Sequence, residues 1–255
     1  MRRSRANIKD VRRGGGAERP FVSYAHYSDG EGQYRAEVRR IIDDGAKRIC
    51  DVGGGAKPVV GLPRVQERGL DYVVLDASSA QLDRTDSGYE RRLGSILDAD
   101  VVNELIRDKG PFDAIVSHFV AEHISDGQRF HEQVFDMLRP GGRALHYFPT
   151  LYAPPFVVNR VLDSRTSAAI ALRLFNKRNK FPAQYSWCRG PSRRQLAMLE
   201  AIGYSIDRYV GYFGHSFYVR IKPLHAVHEA LTARLLEHPR ASATSFALVV
   251  LRRPR

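Results

Sequence analysis

Arg48-Ile49-Cys50-Asp51-Val52-Gly53-Gly54-Gly55-Ala56-Lys57-Pro58 reads as a buried strand that ends in an acid and runs into a glycine loop opening a helix. Glycine takes φ > 0 and lets a ligand approach the main chain closely, which a Cβ would prevent. The loop therefore suits a nucleotide-shaped ligand, although three glycines also make an ordinary flexible turn. A dinucleotide fold needs a third glycine at position 58 to seat a pyrophosphate on the helix N-terminus, and Pro58 stands there. Asp51 would also repel a pyrophosphate. It suits a ligand with an ammonium group and no phosphate, such as S-adenosylmethionine.

Downstream the pattern repeats. Asp71-Tyr72-Val73-Val74-Leu75-Asp76 is a second apolar strand ending in an acid, placed where a carboxylate can accept both ribose hydroxyls, with Ala77 following it. Gly94-Ser95-Ile96-Leu97-Asp98 reads as a third short strand, its acid suited to an exocyclic amine. Phe112 to Ser117 reads as a fourth and leads into His118-Phe119-Val120-Ala121-Glu122-His123-Ile124. A helix over Gln128 to Leu138, an Arg139-Pro140-Gly141-Gly142 turn and a fifth strand over Arg143 to Phe148 complete the run.

This order resembles the class I S-adenosylmethionine-dependent methyltransferases, in particular the small-molecule branch (methyltransferase type 11/12-like) with a V-L-E-H-like segment after the fourth strand and then L-R-P-G-G. The resemblance covers residues 45 to 150 and the chain end. It implies an α/β fold: a Rossmann-like, doubly wound, seven-stranded sheet with an antiparallel terminal strand and a helical substrate-pocket insertion. It implies S-adenosyl-L-methionine as cofactor, with Asp51, Gly53, Gly54 and Gly55 around the methionine end, Asp76 and Ala77 at the ribose, and Asp98 at adenine. Ser117 at the end of the fourth strand, and Tyr24 before the first helix, are expected beside the cofactor as well. Lys57, where many members have a third glycine, and Ala121, in place of leucine, depart from the family pattern.

The rest of the chain organises around this block. Residues 31 to 44 carry Tyr34, Val38, Ile41 and Ile42 at helical spacing. Arg193 to Ala201, Ser205 to Val210, residues 223 to 237 and Thr244 to Leu251 read as helix, strand, helix and terminal strand. Residues 21 to 255 are expected to form one domain, with 149 to 191 as the substrate-pocket insertion around an apolar, basic helix near 156 to 175.

The formal charge of +12 is uneven. Residues 1 to 20 hold seven Lys/Arg against two acids and read as a disordered basic tail, and residues 160 to 195 hold nine against one. The bland reading is a solvated surface. An acidic partner is the functional one, an anionic acceptor or an RNA for which the fold serves as a platform, and no RNA-binding module accompanies the basic segments. Cys50 and Cys188 are too few for a disulfide framework and lack metal-site spacing, so no metal is expected. No apolar run reaches the roughly 18 residues of a spanning helix, and a cytoplasmic location follows as the expectation.

Methyl transfer to an alcohol gains from a general base. The candidates are His118 and His123 after the fourth strand and His146 within the fifth, with Glu122 able to orient a neighbour. An N-P-P-Y-type signature is absent after the fourth strand, which points to a hydroxyl of a small-molecule or glycan-like acceptor ahead of a nucleic-acid amine.

Overall fold

The structure, a computed structural model, describes residues 21–151, 183–219 and 221–255. The expected basic tail, the helix near 156 to 175 and the basic cluster after it lie outside the described residues.

Eight strands form one sheet in the order β1-β7-β8-β6-β5-β2-β3-β4. They are β1 (Phe21–His26), β2 (Arg48–Val52), β3 (Asp71–Asp76), β4 (Glu90–Leu93), β5 (Phe112–His118), β6 (Leu138–Pro149), β7 (Ser205–Phe213) and β8 (Phe246–Arg252). All neighbours are parallel except β8, which inserts antiparallel between β6 and β7. The doubly wound sheet and its antiparallel terminal strand are as expected, but the count is eight rather than seven. The additional strand is β1, whose Phe21, Val22 and Tyr24 favour extended backbone and pair with β7 at the sheet edge.

A second difference concerns the third strand of the sequence reading. The apolar run Gly94 to Asp98 is a loop, and the strand is the charged Glu90–Leu93 before it. As the far edge strand, β4 has a neighbour on one side only, so charged side chains such as Arg91 are tolerated there. Ile96 is nevertheless buried, which is why the loop carries apolar residues.

Helices α1 (Gly30–Asp43), α2 (Leu62–Glu67), α3 (Ser79–Leu82), α4 (Ala99–Lys109), α5 (Gly127–Met137), α6 (Arg193–Ile202) and α7 (Lys222–Glu237) cover the two faces. Tyr34, Val38, Ile41 and Ile42 of α1 pack with Val74, Val116, Leu145 and Tyr147 on one face. Phe130, Val134 and Met137 of α5 pack with Cys50, Val73, Ile115 and Phe148 on the other. Successive strand residues point to opposite faces, so this division decides which side each strand-end residue serves.

Residues 183–191, expected within the insertion, are tied to the sheet. The amides of Gln184 and Tyr185 donate to the Glu122 carbonyl at 2.7 and 3.0 Å, Leu151 N–H donates to Cys188 O at 2.9 Å, and Tyr185 and Cys188 are buried.

Candidate functional site

The carboxyl ends of β2, β3 and β5 meet at the glycine loop, the position where open α/β sheets bind ligands. Gly53 has φ +71° and Gly55 φ +36°. Gly53 N–H donates to Leu75 O at 2.7 Å, and a Cβ on Gly53 would overlap the Val120 side chain from the loop after β5. A Cβ on Gly55 would stand 2.7 Å from Asp76 Oδ2 and 3.0 Å from Gln81 Cβ. Thr85 Oγ1 fixes the loop from behind by donating to Gly55 O at 2.6 Å. The backbone is thus held where side chains would fill the cradle.

Asp51 is fully buried and does more than close a strand. Its Oδ2 accepts from Val59 N–H at 2.7 Å and from Tyr72 OH at 2.6 Å, which ties the far end of the loop back to β2. Oδ1 has no partner. Burial pushes the carboxyl up to about 7, against the lowering effect of the bonds from Tyr72 and Val59 and with a further upward push from Asp76. A cationic group arriving at Oδ1 would supply the missing partner and hold the carboxylate ionised. Gly54 is enclosed by this carboxylate, its Cβ position lying 2.6 Å from Oδ2.

Asp76 ends β3 half-buried, with Oδ1 accepting from Ser78 N–H at 2.9 Å in a turn that leaves Ala77 exposed. Among the described residues no donor is assigned to Oδ2, which faces Gly55. Burial raises its pKa despite the Ser78 bond. Asp98 is the exposed N-cap of α4, and its Oδ1 accepts from Asp100 N–H at 3.0 Å.

The three candidate histidines are divided between the faces. His118 lies on the α1 side, its ring stacked on Tyr34 (centroids 5.4 Å apart) and Tyr147 (5.7 Å) and close to Phe119 (4.3 Å). It is half-buried, Nε2 has no partner, and burial lowers its pKa below the usual 6.5, with Glu31 opposing and Arg35 reinforcing the shift. The next residue, Phe119, holds φ +56°, a region costly for a side chain with a Cβ, with its N–H donating to Tyr147 O at 2.9 Å, and is 39% exposed.

His146 and Ser117 face the opposite way, which corrects their expected roles. They are cross-strand partners sealed in the α5 core, Ser117 Oγ and His146 Nδ1 being 2.8 Å apart, with Phe130 and His131 packed against the imidazole. Burial holds His146 well below its usual range, with His131 adding to the effect. Both side chains lie on the α5 face of the sheet, Ser117 opposite Val52. Glu122 and His123 stand on a one-turn 3-10 helix after β5. Glu122 is buried with Oε2 unpartnered, and burial pushes it up to about 8; its Oε1 is 3.8 Å from His123 Nε2. Tyr24 is not brought to the site: it pairs with Gly211 on the edge strand and stacks on Phe213 at 5.4 Å, with β2 five strands away, about 24 Å at the spacing of strands in a sheet.

Sequence reasoning missed Tyr72, which holds Asp51, and Tyr34 and Tyr147, which flank His118. Tyr34 was legible only as a core position of α1. Their alternation within apolar runs gives no sign of contact with a polar site. Among the described residues no cluster of His, Cys, Asp and Glu could hold a metal, and no helix is long and apolar enough to cross a membrane.

An orphaned buried carboxylate oxygen, a half-buried second carboxylate and a cradle closed to Cβ atoms together fit S-adenosylmethionine: an ammonium for Asp51 and ribose hydroxyls for Asp76. Asp76→Ala should weaken cofactor binding by about 1.5–3 kcal/mol, the scale of hydrogen bonds to a charged group. Titration calorimetry giving an unchanged Kd would remove Asp76 from the site.

Comparison with known proteins agrees with this geometry. No curated protein matches the sequence. Among solved structures, an S-adenosylmethionine-dependent methyltransferase from Mesorhizobium loti superposes with TM-score 0.53 at 19% identity, covering 88% of this chain and 99% of that one. A methyltransferase from Archaeoglobus fulgidus gives 0.51 at 12%, covering 87% and 94%, and the [4+2]-cyclase SpnF gives 0.52 at 15%, covering 88% and 81%. At such identities the likeness is one of fold, and the cyclase shows that the fold alone does not fix the reaction. The family described as methyltransferase domain matches residues 24–207. The chain belongs to that family, as a class I methyltransferase with S-adenosylmethionine as its cofactor.

Proposed function

We propose that the enzyme methylates a hydroxyl of a small-molecule or glycan-like acceptor, with His118 taking the hydroxyl proton. The observation that carries this reading is the placement of His118 at the end of β5, its imidazole held toward the neutral form by burial and its buried Nε2 without a hydrogen-bond partner. S-adenosylmethionine supplies, when bound, an electrophilic methyl on a sulfonium that leaves as a neutral thioether. The protein's part is to hold and deprotonate. Asp51 and Asp76 would fix the two ends of the cofactor, the rings of Tyr34 and Tyr147 hold the His118 imidazole, and Phe119 offers an exposed face beside it. As the acceptor oxygen gains the methyl, its proton passes to the His118 imidazole and then to solvent.

The acceptor would enter beside residues 149 to 191, since the amides of Gln184 and Tyr185 bond to the Glu122 turn. Arg173, Lys177, Arg178 and Lys180 in that segment favour an anionic acceptor. Transfer of labelled methyl into a metabolite and glycan extract tests the proposal, with mass analysis of each product heavier by one CH₂ unit. Label on oxygen is the expected result. Label confined to nitrogen or carbon, or to RNA added as a competitor, would overturn the assignment of acceptor.

A further inference from the structure

Phe119 is large and apolar yet exposed, and its φ of +56° lies in the left-handed region that a Cβ makes costly. Among the described residues other than glycine, only Tyr185 and Trp187 share that region. The conformation is held from both sides. Phe119 N–H donates to Tyr147 O, and Val120 lies so close to Gly53 that a Cβ there would stand 3.1 Å from its Cγ1 and nearer still to its Cγ2. An exposed side chain gains little from burial to offset the strain, so what the backbone secures is the position of the ring. That position is beside the candidate base. The Phe119 ring is 4.3 Å from His118, 5.3 Å from Tyr147 and 6.2 Å from Phe246, and Tyr147 in turn stacks on His118, Tyr34 and Phe246.

Two constraints narrow the acceptor. Tyr34 and Tyr147 are buried, so the part of this aromatic wall open to a ligand is Phe119, with half-buried Phe246 beside it. Neither of those side chains has a hydrogen-bonding atom, so the hydroxyls of a sugar would find no partner in them, whereas a flat aromatic ring would stack. The second constraint is acidity. Burial makes His118 a weaker base than a free imidazole. A phenol gives up its proton near pH 10 and an aliphatic hydroxyl near the roughly 15.7 of water, so the phenol is about six units better matched to such a base. We propose that the acceptor is a phenol, with Phe119 stacked on the ring that carries the hydroxyl. This rests on methylation at oxygen with His118 as base. As the phenol oxygen bonds to the methyl, the C–S electron pair stays on sulfur and the phenolic proton passes to the His118 imidazole.

The test offers the full chain labelled cofactor and a panel that pairs each phenol with its saturated ring alcohol: catechol with cyclohexane-1,2-diol, and 4-hydroxybenzoate with 4-hydroxycyclohexanecarboxylate. Aryl methyl ethers are expected, with kcat/KM at least tenfold above the saturated partners. For the better phenol, Phe119→Ala should raise KM about tenfold, with kcat within threefold and with cofactor Kd and melting temperature unchanged. Phe119→Tyr, which keeps the ring, should restore KM. Equal or faster methylation of the saturated alcohols, or no aryl ether from any phenol, would overturn the phenol assignment while leaving methylation at oxygen standing. An unchanged KM in Phe119→Ala would remove Phe119 from the acceptor site. Label found only on nitrogen or carbon in the metabolite extract is a separate result, which would overturn the oxygen reading and this inference with it.

Discussion

His118→Ala lowers kcat by about 10²–10⁴, the usual contribution of a positioned acid or base, while cofactor affinity stays close to that of the wild type. The loss is expected in turnover because the ring contacts of the imidazole are with Tyr34, Tyr147 and Phe119 and not with Asp51 or Asp76. The direction of the pKa shift adds a second readout. Burial disfavours the imidazolium, so the neutral base persists below pH 6.5, and the acid limb of kcat/KM falls on the acid side of that value. That limb should vanish in His118→Ala. A variant within threefold of wild type across pH 5 to 8 would eliminate His118 as the base and pass the role to His123, the other candidate on the β5 side, since His146 is sealed in the core.

Much of this site was legible in the sequence because its parts coincide with local signals. Asp51 and Asp76 each close an apolar strand, and the glycines between β2 and α2 announce positive φ. Where the reading failed, the deciding facts were non-local. Ser117 and His118 are adjacent in sequence yet serve opposite faces, because a one-residue step along a strand reverses the side chain, and only the packing of α1 and α5 says which face is which. Asp98 looked like a strand-end acid, since Ile96 and Leu97 precede it, but their burial belongs to a loop and its carboxylate to a helix cap. Tyr24 was displaced for a similar reason. Whether Phe21 to His26 folds over a ligand or adds to a sheet depends on the unpaired edge offered by β7, some 180 residues later in the chain.

Gly53→Ala is expected to be among the most damaging single-methyl additions in the protein, at about 2–5 kcal/mol of stability. Two separate costs contribute. The φ of +71° puts an L-residue into the left-handed region, at about 1–2 kcal/mol. The new methyl also meets both γ-carbons of Val120, with Cγ1 at 3.1 Å and Cγ2 closer still, an overpacking of about 1–3 kcal/mol. Relaxation cannot be one-sided, because Gly53 N–H is bonded to Leu75 O and Val120 leads directly from Phe119, whose own φ is already positive. Movement of either loop would carry the methionine end of the cofactor cradle or the His118 segment with it, so cofactor affinity should fall along with the unfolding midpoint. A double variant separates the two costs: Gly53→Ala/Val120→Ala removes the overlap and leaves the backbone strain, so denaturant titration should show it recovering the steric part only. Equal stability of Gly53→Ala and wild type would mean that the loop does not hold this conformation. No recovery in the double variant would place the whole cost in the backbone.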